Sequence, residues 1–261
     1  MPSPPASSTS SPPPALRPRP TVLLVGLLLA FVALLAIVVS GDNAVTRADA
    51  SIIEWTAQHR PAWLVDAARV VTLFGHGAIL AAIVVLLCVG LAWRGALPPR
   101  AALLPPLALA IGGGLNPLLK AIVDRPRPPV DLRVTTELSS GFPSGHAAQS
   151  ASAYLTLALV LWLWGRGDRR WPSLLLAALV VAIGITRVIL AVHSPTDVLA
   201  GWAWGTAVAL TVVGVVGYAG RSTAAGASPA SPDHEAPPAA SPSPSASSRR
   251  ATTNGARNAA A

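Results

Sequence analysis

Apolar stretches of helix length recur near positions 21–40, 76–93, 101–119, 147–164, 172–192 and 198–218, separated by short polar or proline-containing segments. A helix crossing the hydrocarbon core needs roughly 20 mostly apolar residues, so the pattern predicts an all-α bundle of six transmembrane helices. No small-residue cleavage site follows the first run before Asp42, which makes it a span rather than a signal peptide. The segment 41–75 is different. Ile52, Trp55, Trp63, Val70 and Phe74 are interleaved there with charges, as in one or two amphipathic helices lying in the outer interface. Residues 1–20 are rich in Pro and Ser, and 221–261 in Ala, Ser, Pro and Arg, with almost no large apolar side chains. Neither tail can bury a core, so both are expected to be disordered. That leaves 21–220 as one membrane domain.

Composition agrees. Of 261 residues, 52% are hydrophobic and 11% charged, a membrane profile rather than a soluble one. The net charge of +8 is dispersed between apolar spans, which favours anionic lipid and phosphate headgroups over nucleic acid as partners. No obligatory protein partner is implied. Cys88, the single cysteine, lies inside the second apolar run and forms neither an internal disulfide nor a thiolate cluster. With six spans, Arg17, Arg19, Arg94, Arg100, Arg166, Arg169, Arg170 and Arg221 all fall on one side. Arginine-rich short loops stay inside, so both termini are expected in the cytoplasm of a multi-pass cell-membrane protein. Segments 41–75, 120–146 and 186–197 then face outward.

Three polar blocks interrupt the apolar pattern: Lys120 to Pro128, Pro143-Ser144-Gly145-His146, and Thr186-Arg187 followed by His193-Ser194-Pro195-Thr196-Asp197. Between His146 and Thr186 lie 39 residues, roughly 58 Å of helix at about 1.5 Å each, close to two membrane crossings. The chain therefore returns Arg187 and His193 to the side it left. Pro126 and Pro128 end the third span just past Lys120, and Pro143 to His146 open the fourth, turning its positive N-terminal end toward the same face. Ser194 is a natural N-cap with Pro195 at the first helical position. One conflict stands out: Arg187 and His193, six apart, do not share a face of an ideal helix, so the fifth helix must end early or Arg187 must reach up from below.

The inventory defines the chemistry. Lys120, Arg127 and Arg187 supply positive charge for phosphate oxygens, and the Ser144 hydroxyl and Gly145 amide suit the same oxygens. A cationic cradle without clustered carboxylates is poor at holding Mg²⁺, so neither metal nor cofactor is expected. A neutral imidazole can attack phosphorus directly. His193 fits that role because Asp197, one turn on, can orient it. His146, at a helix start among cations, fits the general acid that becomes the base for water. Asp197 also fits a capping acid at the third helical position. Arg125 and Arg133 read as loop charges, with Arg125 able to assist, while His59 and His76 read as structural.

These blocks resemble the type 2 phosphatidic acid phosphatase superfamily, which includes the vanadium haloperoxidases. Its pattern, Lys-x6-Arg-Pro, Pro-Ser-Gly-His and Ser-Arg-x5-His-x3-Asp, is matched by Lys120…Arg127-Pro128, residues 143–146 and Arg187…His193…Asp197, with Thr186 in place of Ser. The resemblance covers roughly 110–218. It implies a metal-independent membrane phosphatase with His193 as nucleophile, Asp197 orienting it, His146 as acid, and phosphate contacts from Lys120, Arg127, Ser144, Gly145 and Arg187. The expected substrate is a lipid phosphate or diphosphate: a polyprenyl diphosphate, phosphatidate or phosphatidylglycerophosphate. Phosphotransfer through the same intermediate, or a non-catalytic scaffold or transporter that keeps the anion pocket, remain as alternatives.

Overall fold

A computed structural model of the chain describes residues 16–226, with side chains through residue 217. Among the described residues there are helices and no strands: α1 Pro18–Val39, α2 Ala44–His59, α3 Ala62–Leu73, α4 Gly77–Trp93, α5 Pro99–Val123, α6 Gly145–Trp164, α7 Arg170–Ile189 and α8 Pro195–Gly226. Helix α1, α5, α6, α7 and α8 as far as Gly217 are each long and apolar enough to cross a membrane. At 17 residues α4 is short for a span; together α3 and α4, bent by 57° at the Phe74–His76 turn, are long and apolar enough to count as a sixth candidate. The amphipathic segment resolves into α2 and α3. The expected tails fall largely outside the described residues, although helix already begins at Pro18 and continues to Gly226.

Burial is inverted relative to a water-soluble protein. On α1 only Val32, Leu35 and Val39 are buried, while Leu27, Ile37, Leu86, Val89 and Leu175 are exposed. In water such a surface would aggregate; against lipid it is the required one. Helices α6 and α8 are the most buried spans, and α8 packs against α1, α5 and α6. Lipid tails are as apolar as leucine, so small residues that let backbones approach drive this packing. Gly201 and Gly205 lie one turn apart on α8. A Cβ on Gly205 would sit 2.5 Å from the Ala148 carbonyl oxygen, and one on Gly201 2.7 Å from that of Ser144. Gly205→Ala is therefore expected to cost about 1–3 kcal/mol and to lower the thermal midpoint in detergent. Activity should fall with it, because the backbone displaced, at Ala148, belongs to the first turns of α6, which also carry Ser144 and His146. Gly90→Ala, with nothing within 4 Å of the added carbon, is the control and should lose no stability.

Side-chain and backbone caps organise the polar end. Asn43 opens α2 by accepting from the Val45 and Thr46 amides at 2.9 and 3.2 Å, while Thr46 Oγ1 accepts from the Asn43 N–H at 3.0 Å, a reciprocal capping box. This fixes the face of α2 that buries Asp49 and Ile53, one turn apart. Arg60, between α2 and α3, donates to the Ile189 carbonyl at the end of α7 and to Leu132, both at 2.6 Å. Tyr154 OH donates to Phe74 O at 3.0 Å, pinning the α3–α4 turn to α6. Within α6 the stretch Ala151–Leu155 is a π-turn, a device that shifts the helix face locally. Pro117 stands inside α5, and Gly112 on the same helix packs directly on Ser152.

Candidate active site

The three polar blocks meet at one end of the bundle. Helix α5 stops at Val123, where Asp124 takes a left-handed conformation (φ 41°) and its N–H caps the Lys120 carbonyl; Pro126 follows two residues later, a common helix stop. Ser144 precedes α6, and its N–H donates to the Asp197 carbonyl at 2.9 Å, tying the start of α6 to the start of α8. The conflict over Arg187 and His193 is resolved by early termination. Helix α7 ends at Ile189, Ala191 is left-handed (φ 54°), and the Val192 and His193 amides both fold back onto the Arg187 carbonyl at 3.1 and 3.3 Å. A side chain inside the helix and one six residues later thereby reach the same pocket.

Around His193 the hydrogen bonds determine the proton's position. Arg127 Nη1 lies 3.2 Å from His193 Nε2 and also donates to the Val192 carbonyl at 2.8 Å. A guanidinium only donates, so Nε2 accepts and the imidazole proton sits on Nδ1. That nitrogen lies 3.5 Å from Asp197 Oδ2, at ion-pair rather than hydrogen-bond distance, and has no hydrogen-bond partner. Asp197 Oδ2 also accepts the Ser194 N–H at 2.9 Å, which realises the capping role. Burial above all, then Arg127, Arg187 and Lys120, hold His193 well below the ordinary histidine pKa of 6.5, so its ring is neutral.

The cations occupy a shell around it. Lys120 Nζ donates to the Ser140 carbonyl. Arg127 Nε donates to the Ser139 carbonyl at 2.6 Å, and the buried Arg187 donates to Thr72 Oγ1 at 2.9 Å. His146 lies on the first turn of α6, where backbone N–H groups lack helical acceptors, with the ring of His76 edge-on at 6.1 Å. His76 thus belongs to the site's surroundings, although its sequence context carries no sign of it. Buried side-chain polar atoms without a hydrogen-bond partner are rare. Among the described residues they are Arg187 Nε, Ser144 Oγ, Ser140 Oγ, Asn116 Oδ1 and His193 Nδ1, all residues of this end of the bundle.

Two carboxylates here were not singled out from sequence. Glu137 accepts from Arg187 Nη2 at 2.6 Å and pairs with Arg127 Nη2 at 3.6 Å. Asp49 is buried against Arg125 Nη2 at 2.8 Å, and Arg125 Nη1 donates to Asp197 Oδ1 at 2.7 Å. No spacing rule could have found them, because Glu137 lies 50 positions from Arg187 and Asp49 76 positions from Arg125. Burial pushes the Glu137 carboxyl up, but Arg187 and Arg127 more than offset it and hold it below the usual range. Likewise burial alone would lower Arg125, while Asp197 and Asp49 raise it. No group of three or more His, Cys, Asp or Glu side chains suited to a metal occurs among the described residues.

Residues 101–221 match the family described as the PAP2 superfamily. Phosphatidylglycerophosphatase B of Bacillus subtilis (strain 168) is 31% identical over 171 residues, 62% of this chain and 80% of that protein. The solved structure of the transmembrane PAP2 type phosphatidylglycerolphosphate phosphatase from Bacillus subtilis is 28% identical and superposes with a TM-score of 0.65, covering 75% of this chain and 95% of that one.

Proposed function

The chain belongs to the PAP2 superfamily, and from that premise we propose that it is an integral-membrane phosphatase acting on a lipid phosphate or diphosphate through a phosphohistidine. The observation that carries this reading is the neutral, oriented imidazole of His193 held among Lys120, Arg127 and Arg187, with buried donors of Arg187 and Ser144 lacking partners. Phosphate oxygens would satisfy those donors. His193 Nε2 attacks phosphorus in line, the bond to the ester oxygen breaks, and His146 protonates the departing oxygen. His146 then takes a proton from water, which attacks phosphorus and releases His193. The cations and the α6 amides neutralise charge as it develops on the phosphoryl oxygens, and Asp197 stabilises the positive imidazole.

Site and membrane suit a substrate with an apolar tail, and phosphatidylglycerophosphate, named for the relatives, is the first to test, beside phosphatidate and a polyprenyl diphosphate. In detergent, release of inorganic phosphate from at least one of these is expected, undiminished by EDTA because the positive charge comes from side chains. Failure with all of them would favour the scaffold reading; appearance of the phosphoryl group on an acceptor alcohol would favour transfer. Wild-type protein quenched in alkali during turnover should carry an acid-labile phosphoryl group on His193, visible as an added mass, and His146→Ala, lacking the acid for the first step, should form it more slowly.

The domain reading remains one membrane unit at 21–220 with both termini inside and the pocket outside, supported by the arginine distribution. Cysteines placed at Arg133 and Asp168 should label from opposite faces of oriented vesicles.

Glu137 occupies part of the cradle, so an incoming anion must share or displace it. Glu137→Gln should tighten vanadate inhibition by roughly fivefold, about 1 kcal/mol, the worth of a partly exposed ion pair. Its folded pKa is depressed, so its stabilising pairs are intact above the ordinary carboxylate range and lost as pH falls through the folded value. The difference between variant and wild type should therefore be constant through neutral pH and vanish only in acid.

A further inference from the structure

We infer that Asp49 is a positioning residue for the reaction, keeping Asp197 electrostatically negative toward His193 through Arg125. This rests on the roles of His193 and Asp197 proposed above. Asp49 lies on α2, outside the 101–221 region matched by the family and outside all three motif blocks. Its carboxylate is 3% exposed. Oδ2 accepts from Arg125 Nη2 at 2.8 Å and from the Thr196 hydroxyl, and Oδ1 accepts the Thr196 N–H at 3.2 Å. Arg125 turns its other nitrogen, Nη1, to Thr196 Oγ1 and to Asp197 Oδ1, both at 2.7 Å. One guanidinium is thus shared by two carboxylates.

The charge count explains why both are there. Asp197 alone with Arg125 would be a neutral pair, and its opposite oxygen, Oδ2, would present little negative potential to His193 Nδ1 3.5 Å away. With Asp49 the three groups carry a net charge of −1, and the cation is drawn partly toward α2. In a buried, poorly screened setting that difference acts directly on the imidazole. As Nε2 bonds to phosphorus the ring becomes positive, so the stabilisation grows along the reaction and belongs to kcat. The phosphate cradle of Lys120, Arg127 and Arg187 is not among the partners of Asp49, so substrate binding should be spared.

Asp49→Asn keeps the shape and one acceptor oxygen but removes the charge and the second acceptor. Purified in detergent and assayed with the best lipid phosphate, it should lose kcat by roughly 10–100-fold, as outer-shell orienting groups do, with KM and the vanadate inhibition constant within about threefold of wild type. The decisive comparison is Asp49→Glu, which keeps the charge that Asp49→Asn removes. Its kcat should exceed that of Asp49→Asn by at least about fivefold, whereas a purely structural role makes the longer side chain equally or less active. Three results overturn the inference: kcat of Asp49→Asn within twofold of wild type, parallel loss of kcat and vanadate affinity, or no recovery in Asp49→Glu. Should Asp49→Asn not be monodisperse, Asp49→Glu is read instead. It retains the charge, so kcat within about tenfold supports the inference and a parallel collapse of kcat and vanadate affinity overturns it. An inactive wild type, or an active His193→Ala, sinks the catalytic reading itself and is separate from either outcome.

Discussion

His193→Ala abolishes phosphate release while the protein remains folded and monodisperse: this is the largest effect expected for any single substitution. His193 is 1% exposed and its Nε2 is turned toward the cation shell, bonded by Arg127. Removing it deletes the proposed nucleophile, so turnover should fall to the background set by the cradle alone, a loss on the order of 10⁶-fold by comparison with other covalent catalysts. Vanadate affinity should fall far less than turnover, because Lys120, Arg127 and Arg187 remain. Undiminished turnover would remove His193 from the nucleophile's position. The variant also carries a pH signature. Folded His193 resists protonation, whereas the unfolded chain takes up that proton below pH 6.5 or so, and wild-type stability therefore falls as pH drops through that value. The slope is at most about 1.4 kcal/mol per pH unit for one such group. Thermal midpoints of His193→Ala should decline less steeply between neutral and mildly acidic pH.

Arg187→Lys should be the next most damaging change, with kcat/KM reduced on the order of 10²–10³-fold, the usual consequence of losing a donor aimed at developing charge. Charge is conserved in this substitution, so the loss tests geometry. Arg187 spends one nitrogen on Thr72 Oγ1 and one on Glu137 Oε1, and its Nε is buried without a partner. A buried N–H left unpaired costs about 1–3 kcal/mol, a cost offset when a phosphate oxygen accepts it. Lysine has neither the planar fork nor a donor at that point along the chain. Vanadate inhibition should weaken in parallel with kcat/KM, unlike the pattern expected for Asp49→Asn. Equal activity of the lysine variant would mean that Arg187 acts only as a charge.

Much of the architecture is readable from residue order. The count of spans, the return of His193 to the side of His146, and the stop of α5 beyond Lys120 follow from apolar run lengths, rise per residue and proline placement. They are one-dimensional properties, set by the bilayer's thickness and by backbone sterics. The amphipathic character of 41–75 was legible as well, as one or two helices, although their relation to the pocket was not. The unresolved geometry of Arg187 and His193 shows where such reasoning stops: nothing in Leu190-Ala191-Val192 announces a left-handed residue at Ala191, yet that conformation lets both side chains face one ligand.

The motif residues were legible for the same reason. Each block is contiguous, and local rules for caps, helix ends and ion chemistry apply to it. Glu137, Asp49, Arg125 and His76 acquire meaning only through contacts across 50, 76, 72 and 70 positions: Glu137 against Arg187, Asp49 against Arg125, Arg125 against Asp197, and His76 against His146. Residue order could thus name the groups proposed to meet the phosphate and the membrane that surrounds them. Which carboxylates balance those cations, and whether Asp197 faces its histidine as a charge or as half of a neutral pair, was decided by packing, because electrostatic coupling depends on distance through space and burial, and neither is written along the chain.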